Sequence, residues 1–167
     1  MNLEIKEETN TKANKKQEEI LKEDKPVKQE ANYEKSLIII KPDGVRQKII
    51  GKIISRFEEK GLEIERIKVL HFNESIAYAH YKDHIGKPYF ERLLNYMTSG
   101  PSIVMVVKGE NAIARTRELM GPTDPKKAPK GTIRGDFGTD ITINVIHGSD
   151  CPKAAKREID IFFGNYL

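Results

Sequence analysis

A chain of 167 residues with 38% hydrophobic residues suits one domain with some chain to spare. No apolar run approaches the ~18 residues that cross a bilayer, and the single cysteine, Cys151, excludes an intramolecular disulfide framework and a cysteine-based zinc cluster. The net charge of +4 is uneven: residues 1–34 carry seven Lys and nine Asp or Glu, a net −2, which leaves the remainder at +6. A basic domain suits nucleic acid or phosphorylated small molecules, and charge alone does not choose between them.

Residues 1–34 read as a charged tail that stays disordered. Leu3, Ile5, Ile20, Leu21 and Val27 are too few and scattered to bury a core. The tail has no apolar h-region for secretion, and it has no Arg and nine acids where a transit peptide is basic. A reducing, cytoplasmic location is the expectation.

The domain is expected over residues 35–167. Ser36–Ile40 reads as a strand buried on both faces. Lys41-Pro-Asp-Gly44 breaks it. Ile49, Ile50, Ile53, Ile54 and Phe57 recur at helical spacing over residues 48–60, and Gly61 is a fitting stop. Residues 62–72 are strand-like. Helices are expected over 74–83 and 89–97, a buried strand over 103–107, and a helix over 110–120 that stops at Gly121. Pro122–Gly138 reads as a long polar loop, of the kind that is usually functional or disordered. Ile141, Ile143 and Val145 alternate with Thr142 and Asn144, which predicts a strand, and residues 152–163 a last helix. Four strands interleaved with helices argue for an α/β or α+β sandwich with one sheet.

No P-loop, G-x-G-x-x-G or kinase H-R-D pattern occurs. His147 follows the expected fourth strand and precedes Gly148, which leaves room beside it for a bulky group. Glu158, in the next helix, is placed to bond one ring nitrogen and leave the other as a nucleophile. Arg117, Lys130 and Arg134 cluster around the long loop with Thr123 and Asn144, a set that suits phosphate oxygens or a solvated surface. Lys41 is a further cation at a strand end. His80 and His84 have i,i+4 zinc spacing, but Tyr81 stands where the zincin pattern has Glu, so they read as a polar helix face. Cys151, before Pro152, reads as an inert thiol.

Lys41-Pro-Asp-Gly-Val45, Tyr96-Met-Thr-Ser-Gly-Pro101, Gly131-Thr-Ile-Arg-Gly-Asp-Phe137 and Asn144-Val-Ile-His-Gly-Ser-Asp150 together resemble the nucleoside diphosphate kinase family over about residues 35–163. The resemblance implies an α+β, ferredoxin-like βαββαβ sandwich with a four-stranded antiparallel sheet. It implies ping-pong transfer of a γ-phosphate from a nucleoside triphosphate to a nucleoside diphosphate through phosphohistidine. His147 is then the nucleophile, Glu158 orients it and Ser149 supports the pair. Lys41 and Tyr81 lie beside the transferred phosphate. Arg117, Thr123 and Arg134 hold the other phosphates, Lys41 and Asn144 the sugar hydroxyls, and Tyr89 stacks on the base where the family usually has Phe. Mg²⁺ enters bridging phosphate oxygens, with no dedicated protein ligands. The resemblance also implies a homo-oligomer, tetramer or hexamer, with no requirement for nucleic acid or membrane. A catalytically silent relative that binds nucleic acid or a regulatory partner is the competing expectation. Residues 126–130 depart from the family, which more often has Pro directly before Gly131.

Overall fold

The computed structural model describes residues 32–164. The expected disordered tail lies outside the described residues, apart from its last three positions. The first strand, β1, runs Tyr33–Ile40, so the sheet takes in two residues ahead of the expected boundary. Four strands form one antiparallel sheet in the order β2-β3-β1-β4, with β2 at Glu63–Leu70, β3 at Ser102–Glu110 and β4 at Ile146–Gly148. That is the ferredoxin-like order.

Sequence pattern explains why β1 is central. Ile38 and Ile40 point into one core with Ile53, Phe57, Met105, Ala112 and Met120. Leu37 and Ile39 point into a second core with Ala77, Leu93, Leu94, Met97 and Phe162. The first core is closed by α2 (Ile50–Glu59) and α5 (Ala112–Met120). The second is closed by α3 (Glu74–His80), α4 (Phe90–Met97) and α7 (Pro152–Phe163). Helices therefore cover both faces of the sheet, which is why β1 reads as an unbroken apolar run.

Three local readings are corrected. Lys41-Pro-Asp-Gly44 is not a simple break: Pro42–Arg46 forms a short helix, α1, with Pro42 in its first turn, where its missing N–H costs nothing. Pro122–Gly138 is not a bare loop. It holds a 3₁₀ turn at Pro125–Lys127 and a helix, α6, at Ile133–Phe137. Thr132 Oγ1 caps α6 by accepting the Gly135 N–H at 3.1 Å, and the Arg56–Asp136 ion pair at 2.7 Å ties the segment to α2. Residues 141–145 are not strand. The Asp140 carboxylate accepts the N–H groups of Thr142 (2.8 Å) and Ile143 (2.9 Å), which diverts them from a ladder. Pairing with β1 starts only at Ile146.

Candidate active site

The end of β1 and the short β4 place the chemistry. Ile39 pairs with His147 across the sheet. Leu37 binds Ser149 twice, its N–H donating to Oγ at 3.0 Å and its carbonyl accepting the Ser149 N–H at 3.1 Å. At the other end, the Lys41 N–H donates to the Val145 carbonyl at 2.7 Å. The segment 145–149 is thus held at one end by β1 and at the other by Lys41, the residue that follows it.

His147 keeps 24% side-chain exposure, and its Nε2 lies 3.1 Å from Oε2 of the buried Glu158. The same oxygen accepts the Ser149 hydroxyl at 2.7 Å. Burial alone raises the Glu158 carboxyl, but the bonds and charges of His147, the Ser149 bond and Arg157 outweigh it and bring it below the ordinary value. Glu158 is therefore an anionic acceptor suited to Nε2–H, an arrangement that in the neutral ring leaves the lone pair on Nδ1.

A run of cations lies beside this pair. Lys41 is buried, and its ammonium is pulled down to about 7, chiefly by desolvation and then by the charge of Arg134. Its Nζ donates to Asn144 Oδ1 at 2.7 Å. Arg134 is lowered to about 10 by burial and by the charge of Arg117. Among the described residues none of Lys41, Arg117 and Arg134 forms an ion pair. Mutually repelling cations without carboxylate partners favour an incoming polyanion.

The other expected residues divide. Arg117, Thr123 and Tyr89 are exposed, and the Tyr89 hydroxyl lies 3.0 Å from His84 Nδ1. Tyr81 is buried with a hydroxyl that has no protein partner, and burial followed by the Glu158 charge keeps it protonated. Arg134 gives two N–H groups to the carbonyls of Gly121 (3.0 Å) and Ile146 (2.7 Å), which leaves its Nε without a partner. Asn144 is 1% exposed, with its amide bound to the carbonyls of Thr123 and Ile141, both at 3.0 Å.

Two readings change here. Gly148 is not spacing for a substrate: a Cβ there would lie 2.5 Å from Met120 Sδ, so the glycine lets β4 close on α5. His80 is not on a polar face with His84. Helix α3 ends at His80, the chain turns at Tyr81, and the His80 ring is buried, 4.7 Å from the His147 ring.

Sequence reasoning gave no role to His80, Asp43 or Tyr96. Asp43 accepts the Tyr96 hydroxyl and, at 3.1 Å, the Val145 N–H. Val145 has φ +73°, which is rare for a β-branched residue. Asp43 and Tyr96 sit inside the motifs that carry the resemblance, which is the only signal that marked them.

A sequence model of nucleoside diphosphate kinase matches residues 34–166. The chain belongs to the nucleoside diphosphate kinase family. It is 51% identical over 130 residues to a nucleoside diphosphate kinase of Pelotomaculum thermopropionicum, covering 78% of this chain and 87% of that one. It is 55% identical over 130 residues to one of an Anaeromyxobacter species, covering 78% and 88%. A crystal form of the Aquifex aeolicus nucleoside diphosphate kinase superposes with a TM-score of 0.77 at 41% identity, covering 79% of this chain and 96% of that one. A halophilic nucleoside diphosphate kinase from Halobacterium salinarum, in complex with CDP, gives 0.77 at 43% identity, covering 80% and 90%. Among the described residues no helix is long and apolar enough to cross a membrane.

Proposed function

We propose that this chain moves a terminal phosphoryl group from a nucleoside triphosphate to a nucleoside diphosphate through a covalent intermediate on Nδ1 of His147. The observation that carries this reading is the Nε2 contact to Glu158 at 3.1 Å, which leaves Nδ1 as the nitrogen with a free lone pair.

In the first half-reaction the Nδ1 lone pair attacks the γ-phosphorus. The bond to the bridging oxygen breaks, and the nucleoside diphosphate leaves with that electron pair. Positive charge develops on the ring, and the Glu158 carboxylate stabilises the Nε2–H that carries it. In the second half-reaction a different diphosphate attacks the phosphohistidine and restores the free ring. Glu158 and Ser149 are positioning residues for His147. Lys41, Arg117, Arg134 and the unpartnered Tyr81 hydroxyl neutralise or bond the phosphate oxygens, with Thr123 beside them. Asn144 holds Lys41 at the sugar end of the site. Exposed Tyr89 offers a face for stacking any base, which suits broad nucleotide tolerance.

Mg²⁺ belongs to the substrate in this reading. The nearby carboxylates of Glu158 and Asp43 are already bound by His147, Ser149, Tyr96 and Val145, so the oxygen donors that Mg²⁺ prefers come from the nucleotide. Exposed Ile67 and Val69 on the edge strand β2 support a homo-oligomer, and unpaired Cys151 fits a reducing cytoplasm.

The test is incubation of the full chain with γ-labelled ATP and Mg²⁺. Acid-labile, alkali-stable label on the protein, discharged by GDP to labelled GTP and missing in His147→Gln, is the expected result. Turnover that survives in His147→Gln overturns the reading.

A further inference from the structure

His80 is an anomaly. Both ring nitrogens are buried and neither has a hydrogen-bond partner. Buried polar groups are nearly always paired, so an orphaned ring calls for a ligand. The ring lies edge-on to His147, and one ring nitrogen of each histidine and a Glu158 oxygen lie within 4.8 Å of one another. Two imidazoles and one carboxylate form a donor set that binds zinc with its fourth position open.

We infer that His80, His147 and Glu158 form a site for a zinc-class divalent cation that shuts off phosphoryl transfer by occupying Nε2 of His147. Tetrahedral bonds of ~2.0–2.2 Å put ligand atoms about 3.3 Å apart. Nε2 of His147 and Oε2 of Glu158 already stand at 3.1 Å. The remaining closure falls to His80, which has no hydrogen bond to give up. Mg²⁺, which selects oxygen ligands, is not suited to this set.

The chemistry balances without any other reactant. Free His147 carries its proton on Nε2 and its lone pair on Nδ1. A metal on Nε2 takes that nitrogen's electron pair, and the displaced proton moves through solvent to Nδ1. The ring keeps one proton and one metal, and Nδ1 no longer has a lone pair for phosphorus. Binding of metal stands independently of the proposed reaction, whereas the inhibition rests on it.

The experiment uses the full chain in chelator-treated, phosphate-free buffer. Zn²⁺ binding is measured by equilibrium dialysis, and the site is read with Co²⁺ through its visible absorption. The expected result is a site of tetrahedral type whose affinity falls at least about tenfold in both His80→Gln and His80→Phe, since even groups that only support ligands are worth that much. Label uptake from γ-labelled ATP, read separately, is blocked in the zinc-loaded chain and restored by chelator. It resists zinc in the two His80 variants, which take up label normally without metal. Zinc that raises the thermal midpoint of the parent but of neither variant supports the same site if a variant is merely less stable. Equal affinity in parent and variants, or no Co²⁺ spectrum, overturns the proposal. Failure of label uptake without any metal counts against the phosphohistidine reading instead, and leaves the metal test intact.

Discussion

Asp43 and Val145 are 102 positions apart, and the carboxylate of the first accepts the backbone N–H of the second at 3.1 Å. That bond holds a β-branched residue at φ +73°, two residues before His147. Such strain costs about 1–3 kcal/mol and persists only where neighbours over-determine it. The second Asp43 oxygen is fixed by Tyr96, whose hydroxyl is kept protonated by burial and then by that bond.

Asp43→Asn is therefore expected to relax residues 145–147 and misplace Nδ1 without removing any group that contacts nucleotide. Steady-state kinetics should show kcat down about tenfold or more, the equivalent of ~1.4 kcal/mol, with KM within about twofold. A change confined to KM would show that Asp43 acts on binding.

Lys41 gives a pH signature. Its buried ammonium sits at about 7 against 10.5 for an unburied lysine. Between those values the folded chain binds fewer protons than the unfolded one, so this group's contribution to stability rises with pH across the window. Below about 7 both states are protonated and the cost of burying the charge is at its fullest. A diphosphate bound in the proposed site is expected to restore the charged form. Calorimetry near pH 8 in buffers of different ionisation enthalpy should show proton uptake on binding GDP. Lys41→Arg should abolish the uptake, because arginine is already charged.

Gly148→Ala should destabilise the chain by about 1–3 kcal/mol through overpacking, since the new methyl meets Met120 Sδ at 2.5 Å. In a double variant, Met120→Ala should offset part of that loss. Denaturant midpoints of the four chains in the cycle check this, and strict additivity would mean the two residues do not meet.

Ser149→Ala removes one bond to Glu158 and leaves the buried Leu37 N–H without its acceptor at 3.0 Å. Stability should fall by about 1–3 kcal/mol. The rate of label uptake should fall more than nucleotide affinity, because Glu158 is then held only by His147 and the distant Arg157. Single-turnover labelling beside a GDP binding curve separates the two effects.

The fold was legible where side-chain period and burial agree. β1 is apolar on both faces because helices cover both, and α2 and α7 show their stripes because each lies on one core. Residues 141–145 misled because alternation says nothing of Asp140, whose carboxylate captures the N–H groups a strand would need. At the site, His147 was marked by its place at a strand end and Glu158 by its place in the following helix, whereas Lys41 gained a role only from the motif that carries the resemblance. His80 was not marked. Its spacing from His84 implied a shared helix face, and only the chain's turn at Tyr81 sends one ring into the core and the other outward.

The two attachments of residues 145–149, to β1 and to Lys41, have a dynamic consequence. Lys41 grips one end, Leu37 the other, and Leu37 to Ile40 are wholly inaccessible to solvent. β4 lies at the edge of the sheet, and these two attachments fasten it there at both ends. The Ser149 amide, bonded to the Leu37 carbonyl, and the Val145 amide, bonded to the Asp43 carboxylate, should exchange with deuterium more slowly than the exposed amides of the loops. The proposed nucleophile is thereby carried on a segment fastened at both ends, and adaptation to differing nucleotides falls to the exposed side chains around it.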